Sequence, residues 1–277
     1  MEDPKLQCYR LKNRRLSNTK NEATPRATLE ALGTEAINPR TAHLDKLPLG
    51  ALVRTLQRED AAVAPAVKRC TPQISAAVAG IAKRFEAGGR VIYVGAGSSG
   101  RLGVLDAAEC PPTFGIAAGR VVGVIAGGTG ALRHSIEGVE DLPEAARRDL
   151  KRLHLTPLDS VVGIAASGRT PYTVAALRLA REQGCLTVAL TNVSGSPLAE
   201  NADIAIEVIT GAEALAGSTR MKAGSAQKMV LNLISTALMV RLGRVRGNLM
   251  TCLQPSNAKL RARAQRIRRA LARPAGK

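Results

Sequence analysis

From residue 90 to residue 208 the chain repeats one pattern. A short, unbroken apolar run is followed by a small-residue turn and then by a longer segment with apolar positions at helical spacing. The runs are RVIYVGA (90–96), RVVGVIA (120–126), DSVVGIAAS (159–167), CLTVALT (185–191) and ADIAIEV (202–208). They are rich in β-branched residues and lack the apolar–polar alternation of a strand with one wet face, so they predict strands covered on both sides. Between them, segments such as YTVAALRLAREQG (172–184) keep helical spacing and end at Gly184, a natural helix stop. Ahead of the first run, 48–66 and 72–86 read as two helices. After the last, MKAGSAQKMVLNLISTALMVRLG (221–243) reads as one long apolar helix, hard to bury within a single subunit, which points to a homodimer. Strands alternating with helices predict an α/β fold, a three-layer sandwich with a mostly parallel sheet flanked by helices.

Composition narrows the setting. Aromatic residues make up only 2% of the 277 residues and Trp is absent, so the core must be built from Ala, Val, Leu and Ile. No apolar run reaches the ~20 residues of a membrane span. The opening MEDPKLQCYRLKNRR lacks the apolar centre of a secretory signal, and Glu2 and Asp3 argue against a transit peptide. Cys8, Cys70, Cys110, Cys185 and Cys252 are scattered, with no C-x-x-C pair and no His at ligand spacing. They read as thiols of a reducing cytoplasm, and no metal site is expected. The net charge of +18 is concentrated at one end, because residues 241–277 hold eleven Lys/Arg and no Asp or Glu. NAKLRARAQRIRRALARPAGK (257–277) has no aromatics for base stacking, so it reads as a solvated tail or a basic helix, and nucleic acid is not an expected partner.

Chemistry gathers at two turns. VIYVGAGSSGRLGVLDAAEC (91–110) places Gly95, Gly97 and Gly100 as G-x-G-x-x-G after the first strand. A dinucleotide site also needs an acid about 20 residues on, at the tip of the second strand. That strand ends VIAGGTG, without one, so NAD is not expected and a simpler phosphate fits better. IAASGRT (164–170) repeats the Gly/Ser turn with its Arg after the third strand. In a parallel sheet both turns lie at the carboxyl ends of strands, where backbone N–H groups, hydroxyls and helix N-termini form an anion cradle.

GAGSSGRLGVLDAAECPPTFG, VVGIAASGRTPY and GSTRMKAGSAQKMVLNLISTALMVRLGRVRGNLM closely resemble the N-acetylmuramic acid 6-phosphate etherases, which belong to the sugar isomerase (SIS) domain proteins. The resemblance runs from TEAINPRTAHLD (34–45) to about NAKLRARAQRI (257–267). It implies three parts: a polar basic extension (1–33), an SIS phosphosugar-binding domain with N-terminal helices (34–246), and a basic C-terminal segment (247–277) shortened relative to the family. It also implies a cytoplasmic lyase of cell-wall recycling that removes D-lactate from its substrate without cofactor or metal. The family pattern E-G-A-E-D reads here as EGVED (137–141), with Val139 adding bulk beside an acid.

An unactivated ether resists water. If the sugar opens to its aldehyde, the hydrogen beside the carbonyl becomes acidic and the lactyl oxygen, one carbon further, can leave by elimination. That route needs a base and an acid, and carboxyls of tuned pKa suit both roles. The resemblance assigns Glu109 and Glu140 as the catalytic pair, with Glu109 serving the leaving oxygen. Residue chemistry alone also fits a surface acid at Glu109 and a solvated cluster around Glu140. Gly97, Ser98, Ser99, Ser167 and Thr170 are expected to bind the 6-phosphate. Arg220 and Lys222 suit either the sugar's anionic groups or intersubunit salt bridges. The alternative function is a non-catalytic phosphosugar-binding regulator similar to the glucokinase regulatory protein, which would need the serine turns but not the paired glutamates.

Overall fold

The structure, a computed structural model, describes residues 33–255 and 257–272, so the 1–33 extension lies almost wholly outside the described residues. The two helices expected ahead of the sheet are three: α1 (Leu49–Asp60), α2 (Val63–Arg69) and α3 (Thr71–Glu86). Pro65 explains the break at Ala61 and Ala62. It has no N–H for the Ala61 carbonyl, and its ring would crowd that carbonyl in a continuous helix.

Strands and helices then alternate: β1 (Val91–Gly95), α4 (Gly97–Phe114), β2 (Val121–Ile125), α5 (Pro143–Lys151), β3 (Ser160–Ile164), α6 (Pro171–Glu182), β4 (Leu186–Thr191), α7 (Pro197–Glu200), β5 (Ile204–Glu207), α8 (Lys222–Arg241) and α9 (Ala258–Ala272). The five strands form one sheet in the order β2-β1-β3-β4-β5, and every neighbouring pair is parallel. The lack of polar alternation is explained by two cores. Val91, Tyr93, Val162 and Ile164 pack against α3, α4 and α8, while Ile92, Val94 and Val161 pack against α5, α6 and α7.

The long apolar helix is less demanding than its sequence suggested. Val230, Leu231, Ile234, Leu238 and Met239 of α8 are buried within the same chain. Leu233 and Val240 remain outside, 46% and 48% exposed. Beyond α8 the chain returns to the end of α4, where the Gln254 N–H donates to the Pro112 carbonyl. Of the two readings of the basic segment, residues 258–272 take the helical one, with Ile267 buried.

One buried carboxylate joins the N-terminal segment to this frame. Glu59, 4% exposed, accepts hydrogen bonds from Arg40 Nε (2.6 Å) and Nη2 (2.9 Å), Asn38 Nδ2 (2.8 Å) and Lys222 Nζ (2.8 Å). Lys222, 1% exposed, opens α8. The Glu213 carboxylate accepts from the backbone N–H of Lys222 and of Ala223, both at 2.9 Å, and so satisfies two of the orphan donors at that helix end. Hydrogen bonds from Arg40, and with them those from Lys222 and Asn38, outweigh the burial of Glu59 and hold its carboxyl at about 2 against an ordinary 4.5.

Glu59→Gln leaves the Lys222 ammonium buried without its counter-charge, and we expect it to cost about 3–5 kcal/mol of folding stability in urea titrations. A loss below about 1 kcal/mol would contradict this role. Because the folded-state pKa lies below the unfolded one, the stabilisation is complete above the ordinary value of 4.5 and drains away as the pH falls from there towards about 2. That component of the acid-induced loss should be missing from the Gln variant.

Candidate active site

In this strand order the chain leaves β1 and β3 in opposite directions, and the crevice between the two connections is the usual ligand position of a doubly wound sheet. The β1–α4 turn is closed by contact. A side chain on Gly95 would strike the Gly100 N–H and the Ile164 carbonyl, and one on Gly100 would strike the Gly95 carbonyl. Gly97 adopts a left-handed φ of 51° that brings α4 out of the sheet. In the β3–α6 turn, Gly168 has φ 62° and lies against Ser196, leaving no room for a side chain. Neither Ala96 nor Thr170, the residues preceding α4 and α6, makes a side-chain capping bond. Two helix N-termini with orphan N–H groups therefore open at the same strand ends, and both dipoles favour an anion there.

The resulting cleft has a volume of about 540 Å³. Gly97, Ser98 and Ser99 line it from the first turn, and Ser167, Arg169 and Thr170 from the second. Glu140 and Asp141, in a short 3-10 turn after β2, form another wall, and Glu35 and Thr219 complete the lining. Gly97, Ser98, Ser99, Ser167, Thr170 and Glu140, singled out from the sequence, thus come together. Glu35, Asp141 and Thr219 lie within stretches that carry the family resemblance, yet nothing in their local pattern singles them out as site residues.

Glu140 is exposed as a residue, yet its carboxyl is raised above the ordinary carboxylate value, first by partial burial and then by the charges of Asp141 and Glu137. A carboxyl that holds its proton closer to neutral pH suits acid–base work. The bulk of Val139 goes elsewhere, packing towards Gly127 and the apolar layer beneath α5 and α6.

The two serines differ. Ser99 Oγ donates to Gln227 Oε1 (2.9 Å), Gln227 Nε2 to Asn192 Oδ1 (3.0 Å), and Asn192 Nδ2 to the Val208 carbonyl (3.0 Å). Its proton therefore serves a buried chain that ties the first turn to β4, β5 and α8. Among the described residues, no such bond occupies the Ser98 hydroxyl. Ser167 Oγ accepts from the Arg169 N–H at 3.3 Å, which leaves its own proton available.

Two expected contacts do not occur within the chain. Glu109 is exposed on α4, twelve residues beyond Gly97, or about 18 Å along the helix axis. Lys222 serves neither of the roles considered for it, being enclosed against Glu59, whereas Arg220 is exposed.

Comparison with known proteins agrees with this geometry. Residues 136–237 match the SIS domain, and residues 73–181 match the glucokinase regulatory protein N-terminal SIS domain. An N-acetylmuramic acid 6-phosphate etherase of Streptomyces coelicolor is 54% identical over 252 residues, 91% of this chain and 81% of the relative. The chain belongs to the N-acetylmuramic acid 6-phosphate etherase family. A second etherase, from Rubrobacter xylanophilus, is 56% identical over 86% of this chain and 79% of its own length. Among solved structures, a protein of Escherichia coli CFT073 superposes with a TM-score of 0.53 at 20% identity, covering 73% of this chain and 97% of that one. The phosphoheptose isomerase of Neisseria gonorrhoeae gives 0.53 at 16% identity, over 68% and 97%. Both share the fold of this etherase-family chain.

Ser99→Ala deprives the buried Gln227 carbonyl of its donor, and we expect a stability loss of about 1–3 kcal/mol. Ser98→Ala should stay within about 0.5 kcal/mol of wild type. Equal shifts in a denaturant midpoint comparison would show that the two hydroxyls are not divided in this way.

Proposed function

We propose that the cleft binds N-acetylmuramic acid 6-phosphate by its phosphate, releases D-lactate from the ether on carbon 3, and leaves N-acetylglucosamine 6-phosphate. The reading rests chiefly on one observation: two uncapped helix N-termini and a carboxyl of raised pKa share a single cleft. Backbone N–H groups at Gly97 and Ser98, with the Ser98, Ser167 and Thr170 hydroxyls, hold the phosphate. Ser99 supports the turn through Gln227 and lends its lone pairs, or its proton after rotation, to the same end of the cleft. The reaction belongs to cell-wall (peptidoglycan) sugar recycling in the cytoplasm, a reducing setting that suits the free thiols of Cys70, Cys110 and Cys185.

The route is elimination followed by hydration. With the sugar open, Glu140 removes the proton on carbon 2, an enolate forms, and the carbon 3–oxygen bond breaks as Glu109 protonates the departing lactate. Water then adds across the new double bond, delivering a hydroxyl to carbon 3 and a proton to carbon 2. The steps are proton transfers, the departure of lactate protonated as its bond to carbon 3 breaks, and the addition of water to the activated double bond, so two carboxyls that give and take protons suffice.

Glu109 cannot reach its own cleft from a position so far along α4, and a second copy resolves this. Leu105, Leu233 and Val240, on α4 and α8, are 46%, 46% and 48% exposed on the layer that carries Glu109. A homodimer through that layer covers these side chains and lets each copy present Glu109 to the other's cleft. The regulator reading is not favoured, because the relatives matched over 79–81% of their own length are etherases by name.

Incubation with N-acetylmuramic acid 6-phosphate should release D-lactate, and Glu140→Gln should lower the rate by roughly 10²-fold or more. A protein that releases no lactate is not the enzyme proposed. Ser98→Ala and Glu109→Gln chains, each weakened alone, should recover about a quarter of wild-type activity when refolded together, since half the dimers are then mixed and each holds one complete site. No recovery on mixing would place Glu109 in its own subunit's chemistry or in none.

A further inference from the structure

Glu35 lines the same cleft but comes from a part of the chain remote from both phosphate turns. The side chain is exposed, and its place follows from the backbone on either side of it. A side chain added to Gly217, in the loop leading to α8, would come within 3.1 Å of Glu35 Oε2, so the carboxylate rests directly on that backbone. Three residues on, Asn38 donates to both Glu59 and the Ala212 carbonyl, while Arg40 and Lys222 close on the same Glu59 carboxylate. Thr34, beside Glu35, is 1% exposed. The short segment bearing Glu35 is thus clamped on both sides, and the loop it rests on is clamped with it.

The chemistry of that position is restrictive. Glu35, Glu140 and Asp141 share the cleft with a single lining guanidinium, Arg169. A carboxylate repels a phosphate and accepts hydrogen bonds only from donors. On a phosphosugar whose phosphate is held at the two turns, the donors left are neutral hydroxyls and an acetamido N–H. We propose that Glu35 contacts the substrate directly, accepting a hydrogen bond from a hydroxyl or amide N–H of the sugar and so selecting a sugar phosphate over a bare anion. The buried Glu59 cluster is the device that holds it there. This inference rests on the phosphosugar reading of the cleft and adds to it the residue that reads the sugar.

Calorimetric titration of the full chain with two probes, N-acetylglucosamine 6-phosphate and inorganic phosphate, tests it. Glu35→Ala should weaken the sugar phosphate by roughly tenfold or more, the loss of one hydrogen bond to a charged group, and leave inorganic phosphate within about twofold. Glu35→Gln, which keeps a neutral acceptor in the same shape, should lose less than the Ala variant and guards against a folding defect in it. Ser98→Ala should weaken both probes. Unchanged affinity for both probes in Glu35→Ala overturns the contact, and so does a parallel loss of both, which marks a structural role. If the wild-type chain releases lactate while the Glu35 variants behave as wild type, this inference alone fails. If the wild-type chain binds neither probe and releases no lactate, the phosphosugar reading fails with it.

Discussion

The strand order imposes the constraint from which the site follows. With β1 and β3 adjacent and their connections running outward to opposite sides, α4 and α6 must diverge, and the space between their first turns cannot be filled by either helix. Each first turn carries backbone N–H groups that no preceding side chain caps. Left to themselves these groups face water; an anion satisfies both sets at once and sits on two favourable dipoles. The glycines serve this geometry by letting the β1–α4 turn close on itself, and residues of both N-termini line the same cleft.

The second wall of the cleft depends on charge rather than on the sheet. Burying Lys222 or Glu59 alone would be strongly unfavourable, and the pair is tolerable only because Arg40 and Asn38 fill the remaining positions around the carboxylate. In return, a terminal segment and a long loop are fixed relative to α8. A site that must align a proton donor, an acceptor and a breaking bond gains from such rigidity, because misplacement of about 1 Å is costly to the rate. The two supports act on different walls of the cleft, the sheet setting the two glycine–serine turns and the ion cluster setting the wall that carries Glu35.

The sheet was legible in the sequence because its strands are buried on both faces, and unbroken β-branched runs have few other uses. The two turns that line the cleft were legible because glycines and serines recur at two equivalent places. The break between α1 and α2 was also written there, in Pro65, although the apolar spacing of 48–66 masked it. What could not be read were contacts made across great sequence separation. Glu59 and Lys222 lie 163 residues apart, and neither residue alone betrays a buried partner. Glu35 lies in TEAINPRTAHLD, a stretch that carries the resemblance but gives no sign of what its acid does; the folding of that segment against Gly217 brings it into the cleft. The distance of Glu109 from the first turn follows from helical rise and could be read once the helix limits were known.

The central claim is that two carboxyls move protons to break an ether by elimination rather than by direct attack of water on the lactyl carbon. Running the reaction in deuterated, oxygen-labelled water tests it most directly. Elimination and hydration place deuterium on carbon 2 of the sugar and labelled oxygen in the hydroxyl on carbon 3, and release unlabelled lactate. Labelled lactate, with the original hydrogen retained on carbon 2, would contradict the account.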